Sequence, residues 1–114
     1  MFSLIYLDDE LSYCEMFEEY FASDNLEIFT FSSANKAIKF CNDSERKIDL
    51  AFLDYRLADT TGVEVAKAIS SDIPKILVTG ELTKPNSDEF IYFISKPFKF
   101  SEIEEILLKC NLSL

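Results

Sequence analysis

The sequence has no run of lysine or arginine, no cysteine pair at C-x-x-C spacing, no tryptophan, and no apolar stretch near the ~18 residues of a membrane span. Each absence narrows the function. Asp and Glu number 21 against 11 Lys and Arg, a formal net charge of −10. No basic stripe could track a phosphate backbone, so direct nucleic-acid binding is not expected. Cys14, Cys41 and Cys110 are odd in number and unmatched in spacing, which fits neither a disulfide framework nor a zinc knuckle. Inert thiols packed in a reducing cytoplasm are the expectation. No charged start precedes an apolar run, so neither a leader peptide nor a membrane partner is indicated, and a cytoplasmic location is expected. Neither a Walker loop nor G-x-G-x-x-G occurs, which argues against nucleotide binding.

What is present is a large apolar and aromatic content. Hydrophobic residues make up 48% of the chain, with 11 Phe and 5 Tyr among 114 residues. That supports one densely packed domain over residues 1–114. Strand-like apolar runs recur as FSLIYL (2–7), LEIFTF (26–31), IDLAFL (48–53), KILV (75–78) and FIYFI (90–94). Continuous apolarity suits strands covered on both faces of a parallel sheet. Between them, residues 10–23, 33–42 and 62–70 place apolar side chains at helical spacing. A last helix is expected to open on a Ser101–Glu104 capping box. Strand and helix therefore alternate, and crossovers put helices on both faces of a doubly wound α/β sheet.

In such sheets the ligand site lies beyond the carboxyl ends of the strands. The first strand ends in Asp8, Asp9 and Glu10, the third in Asp54, the fourth in Thr79, and the fifth in Ser95, Lys96 and Pro97. Taken singly these have plain explanations: Asp9 as a helix cap, Asp54 or Thr79–Gly80 as turn formers, Lys96 as a solvated lysine. Together they gather three carboxylates, a hydroxyl and an ammonium at one edge. Clustered carboxylates raise each other's proton affinity unless a cation lies between them, and a hard-oxygen set suits magnesium. Two could hold the metal while the third attacks phosphorus. Phosphoryl transfer depends mostly on such positioning and charge.

On these residues the chain resembles the receiver domains of two-component response regulators, of the chemotaxis-regulator type. The motifs are the acidic pair of YLDDE, the aspartate of AFLDYRLADTTG, the hydroxyl of ILVTG and the Lys-Pro of ISKPF. The resemblance implies a flavodoxin-like five-stranded sheet of order 2-1-3-4-5. It implies Asp54 as phosphoacceptor, with Asp8, Asp9, Asp54 and the Arg56 carbonyl as ligands of Mg2+. Lys96 would hold a phosphoryl oxygen ahead of a cis Lys-Pro bond, with Thr79 and Phe93 as the switch pair and Gly62 as the glycine after the acceptor loop. Ala58 and Thr61 depart from the family's usual Pro and Asp, and Phe93 stands where Tyr is frequent. Arg56 and Glu81 occupy positions that modulate hydrolysis of the acyl phosphate, and their opposite charges suggest a shielding pair.

The implied function is a signalling phosphoacceptor, not an enzyme acting on other molecules. Its donor would be a histidine kinase or histidine phosphotransfer protein, and its target a downstream protein or output domain. The alternative is a receiver-fold interaction module that works without phosphorylation. A haloacid-dehalogenase-type phosphatase would need a second Asp two residues after the nucleophile, where Arg56 stands and cannot act as the acid. Between Gly80 and Phe90 there is room for at most one or two turns, and Pro85 disfavours even those. The helix before the fifth strand is therefore expected to be shortened or absent, leaving an apolar edge at Phe90, Tyr92 or Phe93 open to a partner or a second copy.

Overall fold

The computed structural model describes residues 2–43, 45, 47–81 and 85–110. In chain order the elements are β1 (Phe2–Leu7), α1 (Leu11–Phe21), β2 (Leu26–Phe31), α2 (Ala34–Asp43) and β3 (Leu50–Asp54). They continue with α3 (Gly62–Ala68), β4 (Lys75–Thr79), β5 (Tyr92–Ser95) and α4 (Phe100–Lys109). All five strands pair in parallel in the order β2-β1-β3-β4-β5. No helix among the described residues is long and apolar enough to cross a membrane.

Alternating side chains split the core into two layers. On one face Leu4, Tyr6, Leu50, Phe52, Ile76, Val78 and Ile94 meet Cys14, Phe17 and Phe21 of α1 and Ile103, Ile106 and Leu107 of α4. On the other, Ile5, Leu7, Ala51 and Leu53 meet Ala34 and Ala37 of α2 and Val65 and Ala66 of α3. Burying a Leu, Ile or Phe side chain is worth ~1.5–3 kcal/mol, so each face fixes strand register firmly. The same parity assigns the polar strand ends. Asp8 follows Leu4 and Tyr6, Asp54 follows Leu50 and Phe52, and Lys96 follows Ile94, all on the α1/α4 side.

Several boundaries differ from the sequence expectation. Residues Ile48 and Asp49 precede β3, and Asp49 exchanges a pair of bonds with Ser3 of β1. The Asp49 amide reaches the Ser3 carbonyl at 2.7 Å, and the Ser3 amide reaches Asp49 Oδ2 at 2.8 Å. Pairing of β5 with β4 begins at Tyr92, opposite Ile76, so Phe90 and Ile91 lie outside the ladder. The last helix is capped two residues earlier than expected, at Lys99 where the sequence offered Ser101. Its N-cap is Lys99, whose amide donates to Glu102 Oε1 at 2.9 Å, while Glu104 accepts the Tyr20 hydroxyl at 2.9 Å. Phe100 stacks on Tyr20 at 3.9 Å, and that contact anchors the first turn.

Among the described residues no helix stands between β4 and β5. Leu82, Thr83 and Lys84, part of the segment expected to lose its helix, lie outside the described residues. Phe90 partly fills the missing cover, its ring 5.8 Å from that of Phe93 and packed on the α2/α3 side of the core. Phe90, Tyr92 and Phe93 are thus half-buried, and the exposed apolar residue of this segment is Ile91.

Candidate functional site

Asp8, at the end of β1, is fully buried, Asp54 is 5% exposed, and Asp9 faces solvent. One carboxylate oxygen from each lies within 4.8 Å of the others. Asp9 is not used as a helix cap, because the N-cap of α1 is Glu10. Asp8 instead anchors that turn, its Oδ1 accepting the Glu10 amide at 3.0 Å.

Lys96 enters this cluster from the end of β5. Its Nζ lies 2.7 Å from Asp8 Oδ2, 3.1 Å from Asp54 Oδ1 and 3.9 Å from Glu10 Oε1. It also sits 4.3 Å from the centre of the Tyr13 ring, a cation–π contact. Burial alone would lower the lysine pKa, but hydrogen bonds and charge from Asp8 and Asp54 raise it, so Lys96 stays an ammonium. Asp54 moves the other way for a carboxylate. Burial first, then the Asp8 charge, lift it to about 7 against the pull of Lys96, with Asp9 adding to the rise. The group is therefore short of positive charge.

The loop after β3 is held tightly. Arg56 and Thr61 form an antiparallel bridge, the Leu57 amide donates to the Thr60 carbonyl at 3.2 Å, and the Gly62 amide donates to the Tyr55 carbonyl at 2.9 Å. Thr61 caps α3, its hydroxyl accepting the Glu64 amide at 3.4 Å. A Cβ on Gly62 would lie 2.5 Å from the Asp54 carbonyl oxygen. Only glycine lets α3 start this close to the backbone that carries Asp54.

Thr79 is 4% exposed, its hydroxyl accepting the Glu81 amide at 3.0 Å and its carbonyl accepting the Lys96 amide at 2.9 Å. By strand parity Thr79 and Phe93 lie on the sheet face opposite the Asp8–Asp54–Lys96 group, two register positions apart. Arg56 and Glu81 form an ion pair across the loops, with Arg56 largely in solvent. The Lys96–Pro97 bond is cis.

Three contacts were not read from the sequence. The Tyr6 hydroxyl donates to Asp8 Oδ2 at 3.0 Å, Tyr13 lies under Lys96, and the Cys14 thiol donates to the Asp8 carbonyl at 3.3 Å. Tyr6 and Asp8 are two apart in a strand, so shared direction was the available signal. Burial pushes the Cys14 and Cys41 thiols up to about 11, which keeps both protonated.

The chain is 29% identical over 107 residues to regulatory protein VanR of Enterococcus faecium, covering 88% of this chain and 46% of VanR. It thus spans about half the length of that curated relative. Among solved structures it is similar to response regulator TrrA of Thermotoga maritima in complex with Mg2+-BeF. That match has 26% identity, a TM-score of 0.84, and coverage of 96% of this chain and 99% of TrrA. A CheY-like receiver domain from Methanospirillum hungatei, at 22% identity, shares the fold with a TM-score of 0.83, over 97% of this chain and 94% of the other. With residues 4–108 matching the response regulator receiver domain family, the chain belongs to that family of two-component signalling proteins.

Proposed function

We propose that the chain, as one receiver domain over residues 1–114, accepts a phosphoryl group on Asp54 in a magnesium-dependent reaction. The observation that carries this reading is the Lys96 ammonium held between Asp8 and Asp54 at 2.7 and 3.1 Å, beside three convergent carboxylates. One lysine cannot offset three carboxylates, and the raised pKa of Asp54 reports that deficit. The all-oxygen donor set fits magnesium, with Asp8, Asp9, Asp54 and the Arg56 carbonyl as the residues that would hold it. When bound, the ion supplies positive charge that favours the ionised Asp54 and neutralises the transferred group.

Asp54 attacks the phosphorus of a phosphohistidine on a kinase or phosphotransfer protein. The new bond is Asp54 oxygen to phosphorus, the bond broken is phosphorus to imidazole nitrogen, and that nitrogen takes up a proton. Lys96 moves from Asp8 toward a phosphoryl oxygen. The Thr79 hydroxyl, whose oxygen accepts the Glu81 amide, donates its proton to a phosphoryl oxygen, and Phe93 follows on the same face. The Arg56–Glu81 pair shields the acyl phosphate from water, which slows self-hydrolysis. A downstream protein or output domain then reads the face around β5.

Incubation with acetyl phosphate and Mg2+, followed by intact-mass measurement, tests the reading. A gain of one phosphoryl group is expected, abolished by Asp54→Asn or by chelation. No gain, together with no thermal shift from beryllofluoride, would leave the chain an interaction module that works without phosphorylation.

A further inference from the structure

Tyr6 lies directly beneath the acid cluster with no exposed surface. Its ring is stacked on Phe17 at 4.4 Å and tilted against Phe52 at 6.3 Å, so the hydroxyl has a fixed position. That hydroxyl donates to Asp8 Oδ2 at 3.0 Å, the same oxygen that Lys96 reaches at 2.7 Å. The other oxygen, Oδ1, is taken by the Glu10 amide at 3.0 Å. Asp8 is fully buried, so water does not readily replace a lost donor there.

Lys96 is a shared partner, bonded to Asp54 as well as to Asp8, and it rides on the end of an edge strand. We infer that the Tyr6 hydroxyl is the standing donor that keeps Asp8 aimed and satisfied when Lys96 leaves it, which makes Tyr6 a positioning residue for the metal site. This rests on the metal-binding reading proposed above. With phenylalanine at this position, Lys96 would be the only donor on Oδ2 among the described residues. Asp8 would then hold the lysine in place, and a cation would have to compete with it for a carboxylate that has lost its orientation. Outer partners of ligating carboxylates act in this way in metal sites generally. The hydroxyl remains a donor throughout, because burial and the neighbouring Asp8 charge push its pKa far above the ordinary tyrosine value.

The test is Mg2+ binding by titration calorimetry on the wild-type chain, Tyr6→Phe, Asp8→Asn and the double variant, with melting curves taken in chelator. Tyr6→Phe should weaken Mg2+ binding about tenfold and leave the ring stack intact. In the Asp8→Asn background the same change should have no further effect. Ile69→Val, a core cut on the opposite face of the sheet, should lower the melting temperature without altering Mg2+ affinity. Wild-type affinity in Tyr6→Phe, an equal loss in Ile69→Val, or an undiminished Tyr6→Phe effect beside Asp8→Asn would each overturn the inference while leaving the metal site standing. A wild-type chain that binds no Mg2+ would remove the metal site and the inference together.

Discussion

Replacing Asp54, the proposed acceptor, by Asn should stabilise the fold at alkaline pH. The native carboxyl titrates near 7 against an ordinary value of 3.8, because burial and the Asp8 charge disfavour its ionised form. Between those values the folded chain holds a proton that the unfolded chain has lost. Stability from this group is therefore fully present below about pH 4 and falls as pH rises through about 7. The full difference corresponds to about 4 kcal/mol at 1.36 kcal/mol per pKa unit, an upper bound that relaxation and water at the site's open side reduce. A gain of about 2 kcal/mol at pH 8, or roughly 8 °C in Tm, is the expected effect of Asp54→Asn in chelator. Melting curves from pH 4 to pH 8 should show the two chains converging toward pH 4. A variant no more stable than wild type at pH 8, or a gain independent of pH, would refute the reasoning.

Other perturbations probe different parts of the site. Lys96→Ala leaves Asp8 and Asp54 buried without their ammonium and should cost about 3 kcal/mol in chelator at pH 8; saturating Mg2+ should restore part of the loss in melting experiments. Gly62→Ala drives a Cβ against the Asp54 carbonyl and should destabilise by about 1–3 kcal/mol in urea titration. It should also slow phosphorylation from acetyl phosphate. Arg56→Ala and Glu81→Ala should each speed loss of the acyl phosphate severalfold, followed by intact mass over time. Equal rates in all three chains would show that the ion pair does not shield the group.

The fold was legible because the apolar runs are continuous and end abruptly in acid or hydroxyl, as LIYL does at Asp8 and AFL at Asp54. Parallel register then brings those ends to one edge whatever the side-chain details. The shortened β4–β5 connection was legible by counting residues. Tertiary contacts were not. Ser101 is the better capping residue by type, yet stacking of Phe100 on Tyr20 starts α4 two residues earlier than a Ser101 cap would and leaves Glu102 to bond the Lys99 amide. Tyr6 reads as one more aromatic in an apolar run, and only the layer formed by Phe17 and Phe52 fixes its hydroxyl on Asp8. The half-cover of Phe93 comes from Phe90, a residue outside the β4–β5 ladder whose ring contact no periodicity encodes.

The strand order has a consequence for the order of assembly. Pairing of β1 with β3 brings Asp8 and Asp54 together, yet their ammonium arrives only with β5, the last strand made and an edge strand whose one strand neighbour is β4. A nascent chain that has closed its central strands thus carries an uncompensated acidic pair until its final segment docks. Docking of β5 and arrival of the ammonium are one event, so an Asp8–Asp54–Lys96 contact reports that the β1-β3-β4-β5 part of the sheet has closed.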